Sequence, residues 1–145
     1  MHNPVTEGIR LGLCCQFVSR PITFRNTTVK HALSLSPGQR LAKLSHLCMQ
    51  NAQALHQALI YCADNDIGDF RVNSQILPLK SHPRAGYEMS DLPGGEAIID
   101  MFRQCGSYAR RHNIRLSLHP DQFILLSSPR KDVLQGSIRE LLYHA

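Results

Sequence analysis

The sequence lacks the features that would place it in a membrane, outside the cell, or among common zinc and redox proteins. No apolar run approaches the roughly 18 residues that a membrane-spanning helix needs. The first four residues, Met1 to Pro4, lack the charged and then apolar order of a secretory signal peptide. The five cysteines include no C-x-x-C pair. We therefore expect a cytoplasmic protein with no membrane partner, whose cysteines are reduced packing residues.

The size and charge of the chain are those of one globular domain. It has 145 residues, of which 43% are hydrophobic, and a formal net charge of +5. A chain of this length fits a single domain. The positive charge permits an acidic partner such as nucleic acid, but many basic proteins bind none, so charge alone does not decide the function.

The hydrophobic pattern alternates three times between strand and helix. The first long helix begins with a hydroxyl cap at Ser36, a proline at the first helical position and Gln39 placed to close a capping box. Because strands separated by long helices form parallel βαβ units, the class is α/β with a parallel sheet. Strands are predicted within residues 9–17, 67–72 and 114–118, and helices within 36–64, 95–113 and from 127 onwards.

Two histidines, each followed by proline, lie beyond predicted strands. Residues 114–118 alternate in polarity, and Pro120 favours extended geometry at His119 and cannot continue a ladder. His82 and Pro83 follow another apolar stretch. Ligands of parallel sheets bind beyond the carboxyl ends of the strands. The two imidazoles and the following pair, Gln122 and Phe123, are therefore candidates for a site.

Five sequence blocks, in order along nearly the whole chain, resemble the UV damage endonucleases. They are Leu11-Gly12-Leu13-Cys14-Cys15, Phe70-Arg71-Val72-Asn73-Ser74, Leu77-Pro78-Leu79-Lys80-Ser81-His82-Pro83, His119-Pro120-Asp121-Gln122-Phe123, and Ser128-Pro129-Arg130 with Ser137-Ile138-Arg139-Glu140-Leu141.

The resemblance implies a fold, an activity and site residues. It implies a TIM (β/α)8 barrel with a divalent metal cluster at its mouth, and nicking of UV-damaged double-stranded DNA 5′ to a photoproduct, which starts excision repair at the nucleoid. By the same resemblance His82 and His119 are metal ligands, and Gln122 with Phe123 is the damage probe. Family members often have tyrosine where this chain has Phe123, so a role that needs the hydroxyl is in doubt here, whereas wedging is not.

The residue types suit that chemistry. Two metals about 3.5–4 Å apart can activate a water and stabilise the leaving oxygen of a phosphodiester. Imidazole with carboxylate suits manganese or zinc better than magnesium, and we expect manganese. An aromatic side chain can fill the space of an unstacked base, while a glutamine can bond to an exposed base edge.

Four further residues are candidate DNA contacts, and each candidate has a plainer interpretation. Loop cations and amides suit phosphates and sugars, but a solvated loop or turn capping explains them equally well. Without the resemblance, His82 fits the role of a turn residue and His119 that of a histidine at the barrel rim. Gln122 and Phe123 fit an ordinary loop. The four candidates are Arg25, Asn26, Asn73 and Lys80.

Three β/α units cannot close a barrel that takes roughly 250 residues. We therefore expect about the first three to four units here, with residues 1–145 forming the N-terminal portion of one TIM-barrel endonuclease domain that is monomeric when complete. The resemblance implies that the other metal ligands lie beyond Ala145. The alternatives are another metal-dependent barrel, such as an abasic-site endonuclease or a sugar isomerase, and a catalytically incomplete fragment that binds DNA.

Overall fold

Three parallel strands and four α-helices make up the part of the chain that this computed structural model describes, residues 9–14, 16–120 and 124–144. In chain order the elements are β1 (Gly12–Cys14), α1 (Val29–Ser34), α2 (Pro37–Asp64), β2 (Asp69–Val72), a 3₁₀ helix (Met89–Asp91), α3 (Gly95–Arg111), β3 (Arg115–Leu118) and α4 (Lys131–His144).

The sheet has the order β1-β2-β3, and both pairings are parallel. In the central strand, Phe70 lies opposite Leu13 of β1 and Leu116 of β3. The predicted α/β class, the parallel sheet and the threefold alternation are therefore confirmed. An open three-stranded parallel sheet is consistent with part of a barrel. β1 is shorter than predicted, because only three of its residues pair with β2.

The long helix α2 begins where its sequence predicts. The Ser36 hydroxyl accepts a hydrogen bond from the Gln39 N–H at 3.4 Å, and the Gln39 side chain accepts one from the Ser36 N–H at 3.2 Å. Pro37 occupies the first helical turn, where its missing N–H leaves no bond unmade. The capping box thus satisfies backbone groups that a helix start would leave without partners.

Helices α2 and α3 end in the same way. Asp66 and Asn113 adopt left-handed backbone conformations, each with φ of 54°. The following isoleucines then bond back into the helices, Ile67 N–H to the Cys62 carbonyl and Ile114 N–H to the Ala109 carbonyl, both at 2.9 Å. This is the Schellman closure, in which a short polar residue tolerates positive φ. Each closure leads directly into the next strand.

The main core lies between one face of the sheet and the helices α2 and α3. Phe70 is fully buried at its centre, and the rings of Phe17 and Phe24 lie 6.2 and 6.3 Å from it. Other buried members come from both helices, from β2, and from the residues just before β2 and β3. They include Leu55, Ala58, Leu59, Cys62, Ile67, Val72, Cys105, Ala109 and Ile114.

Three cysteines pack as predicted and one does not. Cys48, Cys62 and Cys105 are buried thiols outside any disulfide, whereas Cys14 is exposed. The prediction was wrong for Cys14 because side chains alternate along a strand, and Cys14 lies on the sheet face that the helices leave uncovered. Cys15 lies outside the described residues.

That uncovered face of the sheet is polar. The Asp69 carboxylate accepts a hydrogen bond from the Ser117 hydroxyl at 3.1 Å and lies 3.7 Å from the Arg115 guanidinium. On the helix-covered face at the β3 edge, Leu116 and Leu118 remain 38% and 43% exposed.

Across the described parts of the chain, no helix combines the length and apolar character needed to cross a bilayer.

Two short helical elements were not predicted. Helix α1 has six residues and is capped by Thr28, whose hydroxyl accepts from the His31 N–H. No element was predicted between residues 17 and 36. The 3₁₀ helix at Met89–Asp91 closes with reciprocal bonds between Glu88 and Asp91. Elements this short have little periodicity of their own, so the hydrophobic pattern of the sequence does not reveal them.

We predict that Phe70→Ala destabilises the chain far more than Leu116→Ala. Phe70 and Leu116 are neighbours in the ladder, but Phe70 is fully buried and Leu116 is 38% exposed. Loss of a buried phenylalanine costs about 3–5 kcal/mol, whereas the partly exposed leucine should cost about 1 kcal/mol. Urea unfolding of the two variants measures the difference, and equal losses would contradict the assigned core.

We also predict that the free energy of unfolding falls as pH rises above 9. Burial raises the pKa of the Cys62 and Cys105 thiols from 9.0 to about 11. Because the unfolded thiols lose protons first, the stabilisation is complete below pH 9 and is lost towards pH 11. Cys105→Ala should therefore flatten the pH dependence, measured by urea unfolding at several pH values. Leu59→Val, a buried variant that cannot titrate, should lower stability without changing the slope.

Candidate functional site at the carboxyl edge of the sheet

The loop that follows β2 is fastened to two helices. From α2, the Asn51 side chain donates to the Ile76 carbonyl at 3.0 Å. From α4, the Tyr143 hydroxyl accepts from the Leu77 N–H at 3.0 Å, and Glu140 accepts from the Ser81 hydroxyl at 2.6 Å. Three bonds thus fix a segment with no regular secondary structure.

The same loop contains a strained residue. Leu79 has φ of 61°, a left-handed conformation that a leucine adopts at a cost of about 1–2 kcal/mol. Pro78 beside it is fully buried. The surrounding packing and bonds therefore hold a conformation that the local sequence does not favour, as is common at functional loops.

Tyr143 is a neutral bonding partner in this arrangement. Burial raises the pKa of its phenol to about 12. The phenol therefore stays protonated at physiological pH, and its oxygen can accept the Leu77 N–H without introducing a buried charge.

His82 uses one ring nitrogen to hold its own turn. Its Nδ1 accepts hydrogen bonds from the N–H groups of Arg84 and Ala85 at 3.1 and 3.2 Å. The Gly86 N–H closes the turn by bonding to the His82 carbonyl at 2.7 Å. With Nδ1 acting as an acceptor, the proton of the neutral imidazole lies on Nε2.

Lys80, a predicted DNA contact, already has partners within the protein. Its ammonium lies 2.9 Å from the Glu88 carboxylate and 5.8 Å from the centre of the Tyr87 ring. Its side chain is only 18% exposed. A DNA phosphate near Lys80 would compete with Glu88.

His119 stands at the end of β3, as its sequence predicts. Its N–H bonds to the carbonyl of Val72, the last residue of β2, at 3.0 Å, and its side chain is half-buried. Farther on, the Leu125 N–H bonds to the hydroxyl of the buried Ser137 in α4 at 2.9 Å. Gln122 and Phe123 lie outside the described residues, between these two fixed points in the sequence.

The remaining predicted contacts lie in loops and have local partners. The Asn73 side chain accepts from the Gln75 N–H at 3.0 Å, and the Asn26 side chain accepts from the Thr27 N–H at 2.8 Å. Both bonds are of the turn-capping kind. Arg25 is exposed, and its backbone bonds to Asn51.

One cavity of about 280 Å³ opens beside the fastened loop. It brings together Lys80 and His82 but not the other predicted site residues. On the opposite wall, α4 contributes Arg139, Glu140 and Tyr143. The cavity thus combines basic side chains, an imidazole and a carboxylate that accepts from Ser81.

The described residues only partly fit a metal site. Imidazole suits manganese or zinc, and His82 and His119 both follow strands that meet at one edge. However, residues 9–14, 16–120 and 124–144 contain no group of three or more His, Cys, Asp or Glu side chains able to hold a metal ion. A metal-bound histidine normally donates its other N–H, whereas His82 Nδ1 accepts two. Metal binding at either ring nitrogen of His82 therefore requires these two bonds to break.

Sequence reasoning missed the residues that hold the loops. Asn51 was not among the predicted site residues, although a carboxamide within the apolar stripe of α2 was an available signal for a buried polar bridge. No such signal marked Ser81, Glu140 or Tyr143, because their bonds join α4 to a loop about 60 residues earlier in the chain. None marked Ser137 either, because its bond to the Leu125 N–H depends on how α4 packs.

Comparison with known proteins finds that the chain is similar to one protein family. The family model described as UV-endonuclease UvdE matches residues 9–145. The UV DNA damage endonuclease of a Nostoc species is 34% identical, with 93% of this chain and 41% of that protein covered. The protein of the same description from Deinococcus radiodurans is also 34% identical, with 94% and 44% covered.

A solved structure agrees with these sequence matches. The crystal structure of SacUVDE matches with a TM-score of 0.76 and 28% identity, over 94% of this chain and 43% of that chain. The chain therefore spans about two fifths of the length of the relatives it matches.

We predict that Gly86→Ala disrupts the His82 turn. A Cβ at Gly86 would lie 2.6 Å from the His82 carbonyl oxygen and 2.7 Å from that of Lys80, so the backbone must shift. We expect a loss of about 1–3 kcal/mol in unfolding free energy and a displaced His82 ring signal in NMR spectra. Gly38→Ala is the control, because a Cβ there meets nothing within 4 Å. An unshifted His82 signal in the Gly86 variant would contradict the close approach.

Proposed function

Because the chain belongs to the UV-endonuclease UvdE family, we propose that it forms part of a DNA repair endonuclease that nicks UV-damaged duplex 5′ to the photoproduct. The observation that supports this most directly is the placement of His119 and Leu125. His119 is bonded to the central strand and Leu125 to α4, and Gln122 and Phe123 lie between them in the sequence. The described residues before and after the proposed damage probe are thus each held by a hydrogen bond.

The proposed fold of the whole protein is a TIM barrel in which this chain supplies the first three β/α units. The parallel order of the sheet supports this, as does its second face, where the Asp69 carboxylate accepts a hydrogen bond from Ser117 and forms an ion pair with Arg115. The proposed protein is monomeric and acts on DNA.

We further propose a divalent metal cluster, with manganese the expected ion, at the carboxyl edge. Such a cluster would supply an activated water and stabilise the leaving oxygen. Of the two proposed ligands, His119 needs the smaller rearrangement, because its backbone is already held by the bond to Val72. His82 would join only after releasing Arg84 and Ala85 from Nδ1.

The chain's own residues would bind and read the duplex. The net charge of +5 favours association with phosphates. Phe123 would occupy the space of an unstacked base, and Gln122 would bond to an exposed base edge. A lesion that already weakens stacking lowers the cost of that insertion, so damage would be recognised by deformability rather than by sequence.

We predict different losses for two variants of the complete protein in an assay of manganese-dependent nicking on a duplex with one cyclobutane pyrimidine dimer. His119→Ala should sharply reduce nicking, because a metal ligand is lost. Gln122→Ala should mainly reduce the preference for damaged over undamaged duplex, measured as the ratio of the two dissociation constants.

Matched controls are available on two helices, where His46 of α2 and Gln104 of α3 are exposed. His46→Ala and Gln104→Ala remove the same groups elsewhere and should change neither result. Lesion-selective binding without nicking would limit the complete protein to damage recognition. Absence of both binding preference and nicking in the unmodified complete protein would overturn the proposed function.

A further inference from the structure

We propose that Asn51 is a positioning residue, whose buried carboxamide joins the loop after β1 to the loop after β2 and thereby places Arg25 against the DNA backbone. The DNA part of this inference rests on the proposed function. The joining of the two loops does not, and it can be measured separately.

The geometry of Asn51 is that of a bridge between two loops. Its Oδ1 accepts from the Arg25 N–H at 2.6 Å, and its Nδ2 donates to the Arg25 carbonyl at 2.9 Å. The same Nδ2 donates to the Ile76 carbonyl at 3.0 Å. Both amide protons are thus used, one on each loop, and the carbonyl oxygen completes a two-bond contact with one residue.

Burial makes these bonds specific. Asn51 is fully buried, within the apolar stripe of α2. A polar group in such a position is tolerated only when its hydrogen bonds are made. No water is needed to explain its partners, because three protein bonds account for them. The side chain therefore admits one arrangement of the two loops relative to α2.

The chemistry of the bridge excludes close substitutes. Aspartate keeps the acceptor for Arg25 N–H but has no donors, so its carboxylate would face two carbonyl oxygens. Alanine removes all three bonds and leaves the loop carbonyls without these partners. Neither change touches a charged group that contacts the exterior.

The residue that Asn51 holds lies in a groove suited to nucleic acid. The groove, of about 210 Å³, is lined by Thr23 and Arg25 from the loop and by three glutamines of α2. It contains a guanidinium and carboxamides but no carboxylate, a combination that bonds to phosphate and sugar oxygens without repelling them. The glutamines are Gln50, Gln53 and Gln57.

A positioning role differs measurably from a merely structural one. If Asn51 only stabilises the fold, its replacement lowers stability without removing a particular phosphate contact. If it positions Arg25, its replacement removes the contact that Arg25 makes. Loss of one phosphate contact lowers the slope of log Kd against log salt by about one, and a neutral, buried residue has no other reason to change that slope.

The test is a double-mutant cycle on binding to a duplex with one cyclobutane pyrimidine dimer, followed by fluorescence anisotropy at several salt concentrations. Arg25→Ala and Asn51→Ala should each lower the salt slope by about one, and the double variant should lower it no further. Additive losses in the double variant, or an unchanged slope for Asn51→Ala, would overturn the positioning role.

Two controls and a second variant separate stability from position. Leu59→Ala removes a fully buried side chain from the same helix, and Asn65→Ala removes a carboxamide that bonds to the Tyr61 carbonyl at the helix end. Both should leave the salt slope unchanged. If Asn51→Ala does not fold, the neutral variant Asn51→Leu keeps the buried volume without the three bonds and should still lower the slope.

The joining of the loops is measured without DNA. In amide hydrogen exchange, Asn51→Ala should reduce protection at Arg25 and at Leu77 together, because both loops lose the bridge. Loss of protection in one loop alone would overturn the bridge. If both loops respond but the unmodified chain binds no duplex, the proposed function fails while the bridge stands.

Discussion

The parallel pairing of β2 with a strand on each side is the constraint on which the rest of the molecule depends. Parallel neighbours cannot be joined by a tight turn, so each connection must cross back over the sheet. Helices α2 and α3 make these crossings and cover one face, where Phe70 is fully buried. Because both pairings are parallel, the carboxyl ends of the three strands lie at one edge of the sheet. The core and the candidate site are thus two consequences of one pattern.

Apolar packing and buried polar bonds have different roles in this molecule. The sheet and its helices are held together by the apolar side chains around Phe70. Apolar packing is nondirectional, and it tolerates substitution by side chains of similar volume. The loops at the carboxyl edge are held by directional bonds from Asn51, Ser137 and Tyr143. Because a buried polar group is costly without its partner, each of these bonds fixes one relative position.

The features that were predictable from sequence are those specified by neighbouring residues. The capping box at Ser36 and Gln39 located the start of α2, and the short polar residues at Asp66 and Asn113 marked where two helices end. The candidate site was predictable only in part. His119 lies at a strand end as its surroundings predict, but the ring bonds of His82 and the pairing of Lys80 with Glu88 depend on turns that residue order does not specify.

The two histidines therefore differ in how ready they are for a ligand. The backbone of His119 extends the ladder next to Val72, so its position follows from the sheet itself. His82 lies in a loop that needs bonds from two helices, a residue at positive φ and a close glycine contact to keep its shape. Its ring is committed to that shape through Nδ1. A ligand at His82 must supply enough binding energy to replace those bonds, and the differential affinity between the two ring states sets how far the turn can change.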